Sequence, residues 1–267
     1  MALYVLIAEG YTDCALLEAI LEKCMSFKKY DNINEMPELF RKLVGSYPNE
    51  SGEMIRQDMP HFYHYENKSV VVKVAGGATK IASKVEEVLQ ALALCEEEEH
   101  FAGFLTFTDA DNHSQEKIIK TLQENYALSE MQLCPEIDKV IFEQMEYNHS
   151  LYIYPSDGYG AVEKILLNMA TEIYPELSVE TLLLRQRLMG DSFIELRQTN
   201  WAKQEEQQEF YADKVQFGTI ASALKPDRPV GFAIKDELVK QNILMQLEKV
   251  EEFAKLHKYL EQKIMQR

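Results

Sequence analysis

Positive charge is scarce in this chain: 28 lysines and arginines stand against 44 aspartates and glutamates, a formal net charge of −16. An excess of that size opposes long-range attraction of a phosphate polyanion, so a nucleic-acid partner would have to be held by local features. Cysteine is scarce too. Cys14, Cys24, Cys95 and Cys134 are scattered without a CxxC pair, which argues against a structural zinc site or a disulfide framework and favours buried apolar thiols. No apolar run has the length that crosses a bilayer, and the opening MALYVLIAEGYTD meets an acid too early for a signal peptide. The expectation is a cytoplasmic protein with no membrane association. No internal repeat or low-complexity linker marks a sharp domain boundary.

What is there is globular: 267 residues with 46% hydrophobic content suffice for one large core, or a core with a smaller appended domain. Part of the acidic excess lies in runs such as Glu96 to Glu99 and the EQQE stretch near 205 to 209, which read as solvated helix faces. Two neighbourhoods are relatively basic and available to phosphate, one with Lys68, Lys73, Lys80 and Lys84, the other with Arg185, Arg187, Arg197 and Lys203.

The apolar run Leu3 to Ala8 suits a strand buried on both faces of a parallel sheet. A tight turn at EGYTD follows, then a helix with Leu16, Leu17, Ile20, Leu21 and Cys24 on one face and Thr12 or Asp13 as its N-cap. Residues 30 to 67, with Pro37, Pro48, Pro60, NESG and HFYHY, lack a clean period and read as an irregular or locally helical insertion. Further strands are expected at Ser69 to Val74, Phe101 to Thr108 and Leu151 to Tyr154. Helices are expected at Ile81 to Leu92, Gln115 to Tyr126 and Val162 to Met169. Strands alternating with helices predict an α/β fold with a mostly parallel sheet covered on both faces, spanning 1–175 with an insertion at about 28–68. A helical region, 176–267, packs on it and ends in a long helix from about Asp236 to Ile264 with the stripe Leu238, Ile243, Leu247, Val250, Phe253, Leu256 and Leu260.

Three predicted strand ends deliver acids: Glu9 with Asp13, Asp109 with Asp111, and Asp157 with Glu163. Ligands of such folds sit beyond the C-terminal ends of the strands, and Mg²⁺ takes one or two carboxylates while keeping several waters. Each acid also has a plain structural role open to it. Asp13 can cap the first helix, Asp109 or Asp111 the helix after the third strand, Glu163 can be a first-turn glutamate, and Asp157 a turn residue. Lys214 can be a solvated helix lysine, His61, His64 and His113 surface residues, and Gly76 with Gly77 a turn of positive φ or a backbone cradle for phosphate.

The run LYVLIAEGYTDCALLEAIL resembles the opening motif of Toprim domains, E-G-x-x-D after an apolar strand, and FLTFTDAD resembles their D-x-D motif. Between them VVVKVAGGATKI is similar to the second strand and glycine turn of such domains, and the likeness covers roughly residues 1 to 170. It implies Mg²⁺-dependent phosphodiester chemistry, with Mn²⁺ as a substitute, at Glu9, Asp109 and Asp111. The longer spacing resembles the OLD-type nucleases, in which Asp13, Glu163 of YGAVEKIL and Lys214 of ADKVQFGTIASAL would complete the site. Small Toprim-like proteins of unknown function also resemble the C-terminal region.

Departures accompany the likeness. Ala161 stands where those nucleases carry a hydroxyl residue, and the absence of a Walker A loop assigns any accompanying ATPase to a separate chain. The tyrosine chemistry of a topoisomerase and the zinc module of a primase are not expected. The resemblance thus implies a nuclease for DNA or RNA, in prokaryotic nucleic-acid processing or defence. The alternative is a Toprim-fold subunit, inactive alone, that binds nucleic acid or protein and works with an ATPase partner. A homo-oligomer is compatible with either.

Overall fold

A computed structural model describes residues 1–44, 60–95, 100–156, 158–200 and 205–266. Two compact units emerge. The first comprises residues 1–14, 26–108 and 116–152; the second comprises 15–25, 109–115 and 153–267.

The first unit is organised by β1 (Ala2–Ala8), in which no residue from Leu3 to Ala8 is more than 2% exposed. A strand apolar on both sides has to be covered on both sides, and β1 pairs in parallel with β4 (Lys68–Val74) and with β5 (Phe101–Asp109). Those two pairings are parallel, but the sheet is mixed rather than mostly parallel as expected, since its outer strands pair antiparallel. Its order is β2-β3-β4-β1-β5-β8-β7-β6, with β2 (Lys28–Lys29), β3 (His61–Tyr65), β6 (Met131–Cys134), β7 (Lys139–Phe142) and β8 (Met145–Tyr154). β2, β3 and β4 form antiparallel pairs, as do β6, β7 and β8.

The helices of this unit fill one core with the sheet. Leu39, Phe40 and Leu43 of α2 (Glu38–Leu43) join Ile81, Val85, Val88, Leu89 and Leu92 of α3 (Ile81–Leu92), and Leu122 and Tyr126 of α4 (Gln115–Leu128). Each such side chain contributes ~1.5–3 kcal/mol by leaving water. Inside sits His149, which shares hydrogen bonds through Nε2 with the Tyr126 hydroxyl (2.8 Å) and the Thr106 hydroxyl (3.4 Å). Burial pushes its pKa down to about 4, so the ring is neutral. Where β5 lies beside β8, Gly103 has φ +143°, and a Cβ there would fall 2.6 Å from the Asn148 carbonyl oxygen.

The insertion at 28–68 is thus more regular than its composition predicts: HFYHY is β3, paired antiparallel with β4. Pro48 and NESG lie outside the described residues.

The second unit is helical. After α1 (Tyr11–Lys23), whose residues from Ala15 onward belong to it, come α5 (Val162–Ile173), α6 (Pro175–Met189), α7 (Ile194–Asn200), α8 (Glu205–Leu224), α9 (Val230–Ala233), α10 (Leu244–Leu247) and α11 (Glu251–Leu260). The expected C-terminal helix is broken. A π-helical turn at Ile234–Leu238 ends at Val239 (φ −109°, ψ 86°), and Val250 is again non-helical (φ −81°, ψ 100°) before α11 begins. The stripe residues Leu238, Leu247, Val250, Phe253, Leu256 and Leu260 are nevertheless buried, and burial is what the stripe encodes. No described helix is long and apolar enough to cross a membrane.

Candidate functional site

In the first unit, Glu9 follows β1 directly. Its carboxylate accepts a 2.6 Å hydrogen bond from the Thr108 hydroxyl, and its carbonyl oxygen accepts from the N–H groups of Gly76 and Gly77, each at 3.0 Å. The two glycines have positive φ, as a turn requires, and their N–H groups are engaged by protein rather than presented to phosphate. Helix α1 starts at Tyr11, and the Gly10 carbonyl already accepts from Cys14 N–H (3.2 Å), so Gly10 occupies the N-cap place expected of Thr12 or Asp13. Asp13 reaches back to accept from Gly10 N–H at 3.1 Å, which is the third-position half of a capping box.

The remaining candidates belong to the second unit. Asp109, the last residue of β5, accepts from Val162 N–H at 2.9 Å through Oδ1. It thereby caps the N-terminus of α5, where Ala161, the residue before the helix, has no side chain able to do so. Asp111 adopts φ +49°, a left-handed conformation uncommon outside glycine, asparagine and aspartate. It is fixed there by paired backbone bonds with Gly160, 2.7 Å from Asp111 N–H and 2.8 Å back to Asp111 O. That turn interrupts the simple alternation that would aim two residues of a D-x-D the same way.

Glu163 is 8% exposed, and its Oε2 has no hydrogen-bond partner among the described residues. Desolvation holds its pKa above the ordinary 4.5; Lys214 is the main opposing influence, while Asp213 and Asp111 push the same way as burial. Glu163 and Lys214, on α5 and α8, therefore lie within electrostatic reach of one another, and Lys214 is exposed. Asp157 lies outside the described residues. Among the described residues, no three His, Cys, Asp or Glu side chains are grouped so as to hold an ion together.

Several members of the basic neighbourhoods are engaged by protein groups. Buried Lys73 lies 2.8 Å from Glu87, which Lys84 also approaches at 2.7 Å. Arg185 pairs with Asp213 at 2.9 Å and Glu209 at 3.3 Å, and buried Arg197 donates to the Leu188 and Gly190 carbonyls, both at 2.7 Å. Lys203 lies outside the described residues.

The sequence reading missed Thr108, Gly160 and the clamp that holds the loop after β8. Ser156 donates to Glu252 through both N–H (2.7 Å) and Oγ (2.8 Å), while its carbonyl accepts from the Gln115 amide at 2.6 Å. Only the GYG turn at 158–160 signalled that this loop was special. A hollow of about 680 Å³ beside Glu248, Lys255, His257 and Glu261 holds none of the selected acids.

No family model matches the chain, and no curated protein matches it. A solved structure of a hypothetical protein from Pyrococcus horikoshii is similar to it, with 17% identity and a TM-score of 0.46, over 94% of this chain and 99% of that one.

Proposed function

We propose that the chain is a Mg²⁺-dependent nuclease that cleaves phosphodiester bonds of DNA or RNA through a Toprim-type acidic site. The observation that carries this reading is the buried Glu163 carboxyl, whose Oε2 has no hydrogen-bond partner among the described residues, on a helix packed against the one that bears Lys214, two positions that the motif comparison singled out far apart in the chain. Supporting it, the E-G-x-x-D and D-x-D segments follow or close two adjacent parallel strands, β1 and β5. By the resemblance, Glu9, Asp109 and Asp111 would hold the principal ion, with Asp13 and Glu163 for a second. Bound Mg²⁺ would polarise the phosphate and lower the pKa of a coordinated water.

The chain's own side chains have roles consistent with that. Burial favours the neutral form of Glu163 and Lys214 the ionised one, so a further cation beside it would favour the form able to act as a ligand. The exposed Lys214 ammonium is suited to offset charge that develops on phosphate oxygens. An inactive subunit that needs a partner is favoured by one observation: Leu182, Leu183 and Leu184 of α6 and Ile194 and Leu196 of α7 are exposed.

Asp109→Asn combined with Asp111→Asn tests the nuclease reading. Asparagine keeps an acceptor for Val162 N–H, so helix content should be unchanged while calorimetric Mg²⁺ binding is lost. Cleavage of plasmid, single-stranded DNA and transfer RNA under Mg²⁺ or Mn²⁺ should disappear as well. Equal ion affinity or equal cleavage in the double variant would overturn the reading.

A further inference from the structure

Between α5, α6 and α8 of the second unit opens a cleft of about 450 Å³, within the range of small-molecule sites. At its edge stands Tyr159, 58% exposed, between Gly158 (φ +99°) and Gly160 (φ +139°). Tyr159 and Gly160 are bonded to their surroundings. Lys164 Nζ donates to the Tyr159 carbonyl at 3.2 Å, and Gly160 holds a φ of +139° that a side chain rarely adopts, with the Lys164 stem 3.1 Å from where a Cβ would stand. Gly160 is also the residue paired with Asp111, which ties the aromatic ring's position to a proposed ion-binding acid.

The remaining walls have the chemistry of a nucleobase site. Leu167 and Leu182 are apolar, and the amides of Asn168 and of Gln216, the latter 6% exposed, offer both donors and acceptors. Lys164 and Arg185 are balanced by Glu209 and Asp213, so the cleft carries little net charge. A duplex, whose bases are stacked on one another and whose backbone demands a basic surface, does not suit it. An unpaired base does, because stacking on an aromatic ring is available to every base and needs no positive field.

We propose that this cleft receives an unpaired base of single-stranded nucleic acid, stacked on Tyr159, with Asn168 and Gln216 at its edge and Lys164 beside the adjoining phosphate. The inference rests on the nucleic-acid reading above and specifies its substrate class. It also accounts for how so acidic a chain would hold a polyanion: by stacking and amide hydrogen bonds, with a shallow dependence on salt.

The test is fluorescence anisotropy of a labelled oligothymidylate bound to the full chain in EDTA, against a duplex containing the same strand and against free thymidine monophosphate. Single strand should bind more tightly than duplex. Tyr159→Ala should weaken that binding about tenfold or more, Tyr159→Phe should preserve it, and both variants should melt like the wild type. No binding by the wild type, equal or tighter binding of duplex, or an unchanged Tyr159→Ala would overturn the inference. Displacement by the monophosphate at the oligonucleotide's own concentration would overturn the polymer as ligand. Tyr159-dependent binding without cleavage of any substrate retains this inference and removes the nuclease reading. Cleavage with Tyr159-independent binding does the reverse.

Discussion

Glu163 is a carboxyl group that water no longer stabilises, and its surroundings only partly replace that water. Burial raises its pKa above the ordinary 4.5, Lys214 pulls it back, and Asp213 and Asp111 raise it further. With the folded value above the unfolded one, the native chain binds a proton that the unfolded chain has released. Stability therefore falls as pH rises from the ordinary value through the folded one, and the penalty is complete above it. Glu163→Gln removes the ionisation while keeping the shape. In metal-free buffer its melting temperature should exceed that of the wild type at pH 7 to 8, on the order of 2–4 °C for each kcal/mol relieved, with the gain vanishing towards pH 4. A gain that does not change with pH would mean that ionised Glu163 costs nothing. The acids of this chain were legible as candidates because each sits at a strand exit, yet their partners were not. That Asp109 caps α5, where Ala161 cannot, is a relation between residues more than fifty positions apart in the chain that no local pattern displays.

Among the elements, those with the strongest local patterns were legible. Continuous apolar runs disclosed β1 and β5, and helical spacing disclosed α3, α4 and α5, because in each case one buried surface fixes the period. Of the antiparallel strands that escaped, β3 and β7 adjoin two-residue turns that lack glycine and whose positive-φ residues are glutamate or glutamine. The two-residue turn between β7 and β8 is Glu143-Gln144, with φ +48° and +67°, and Glu66 (φ +50°) turns β3 into β4. Hairpins are ordinarily signalled by Asn-Gly or Asp-Gly, which reach positive φ with less strain. The breaks at Val239 and Val250 escaped likewise, since neither is a proline or a glycine. Where β5 approaches β8, Gly103 is irreplaceable. Gly103→Ala combines an unfavourable φ with a 2.6 Å approach to backbone, and should cost about 2–3 kcal/mol, seen as a lower urea midpoint at unchanged m. A shift within error would show that the two strands can part without loss.

For the molecule as a whole, a net charge of −16 means that folding gathers like charges together. Raising NaCl from about 10 mM to 150 mM shortens the screening length from ~30 Å to ~8 Å, which weakens this repulsion more than the short-range ion pairs. The melting temperature should therefore rise with salt in metal-free buffer; a fall would show that pairs such as Arg185 with Asp213 outweigh the overall field. The two units are also interleaved along the chain, each built from three separate segments. During synthesis, the first unit has all its residues once residue 152 has been made. The segment Ala15–Met25 emerges far earlier, but the rest of its unit, apart from Asp109–Gln115, begins only at residue 153. Its buried apolar residues, Leu16, Leu17, Ile20 and Leu21, thus belong to a unit most of which is made later. This gives the nascent protein a sticky early segment and a reason to be shielded by a chaperone until its late partners arrive.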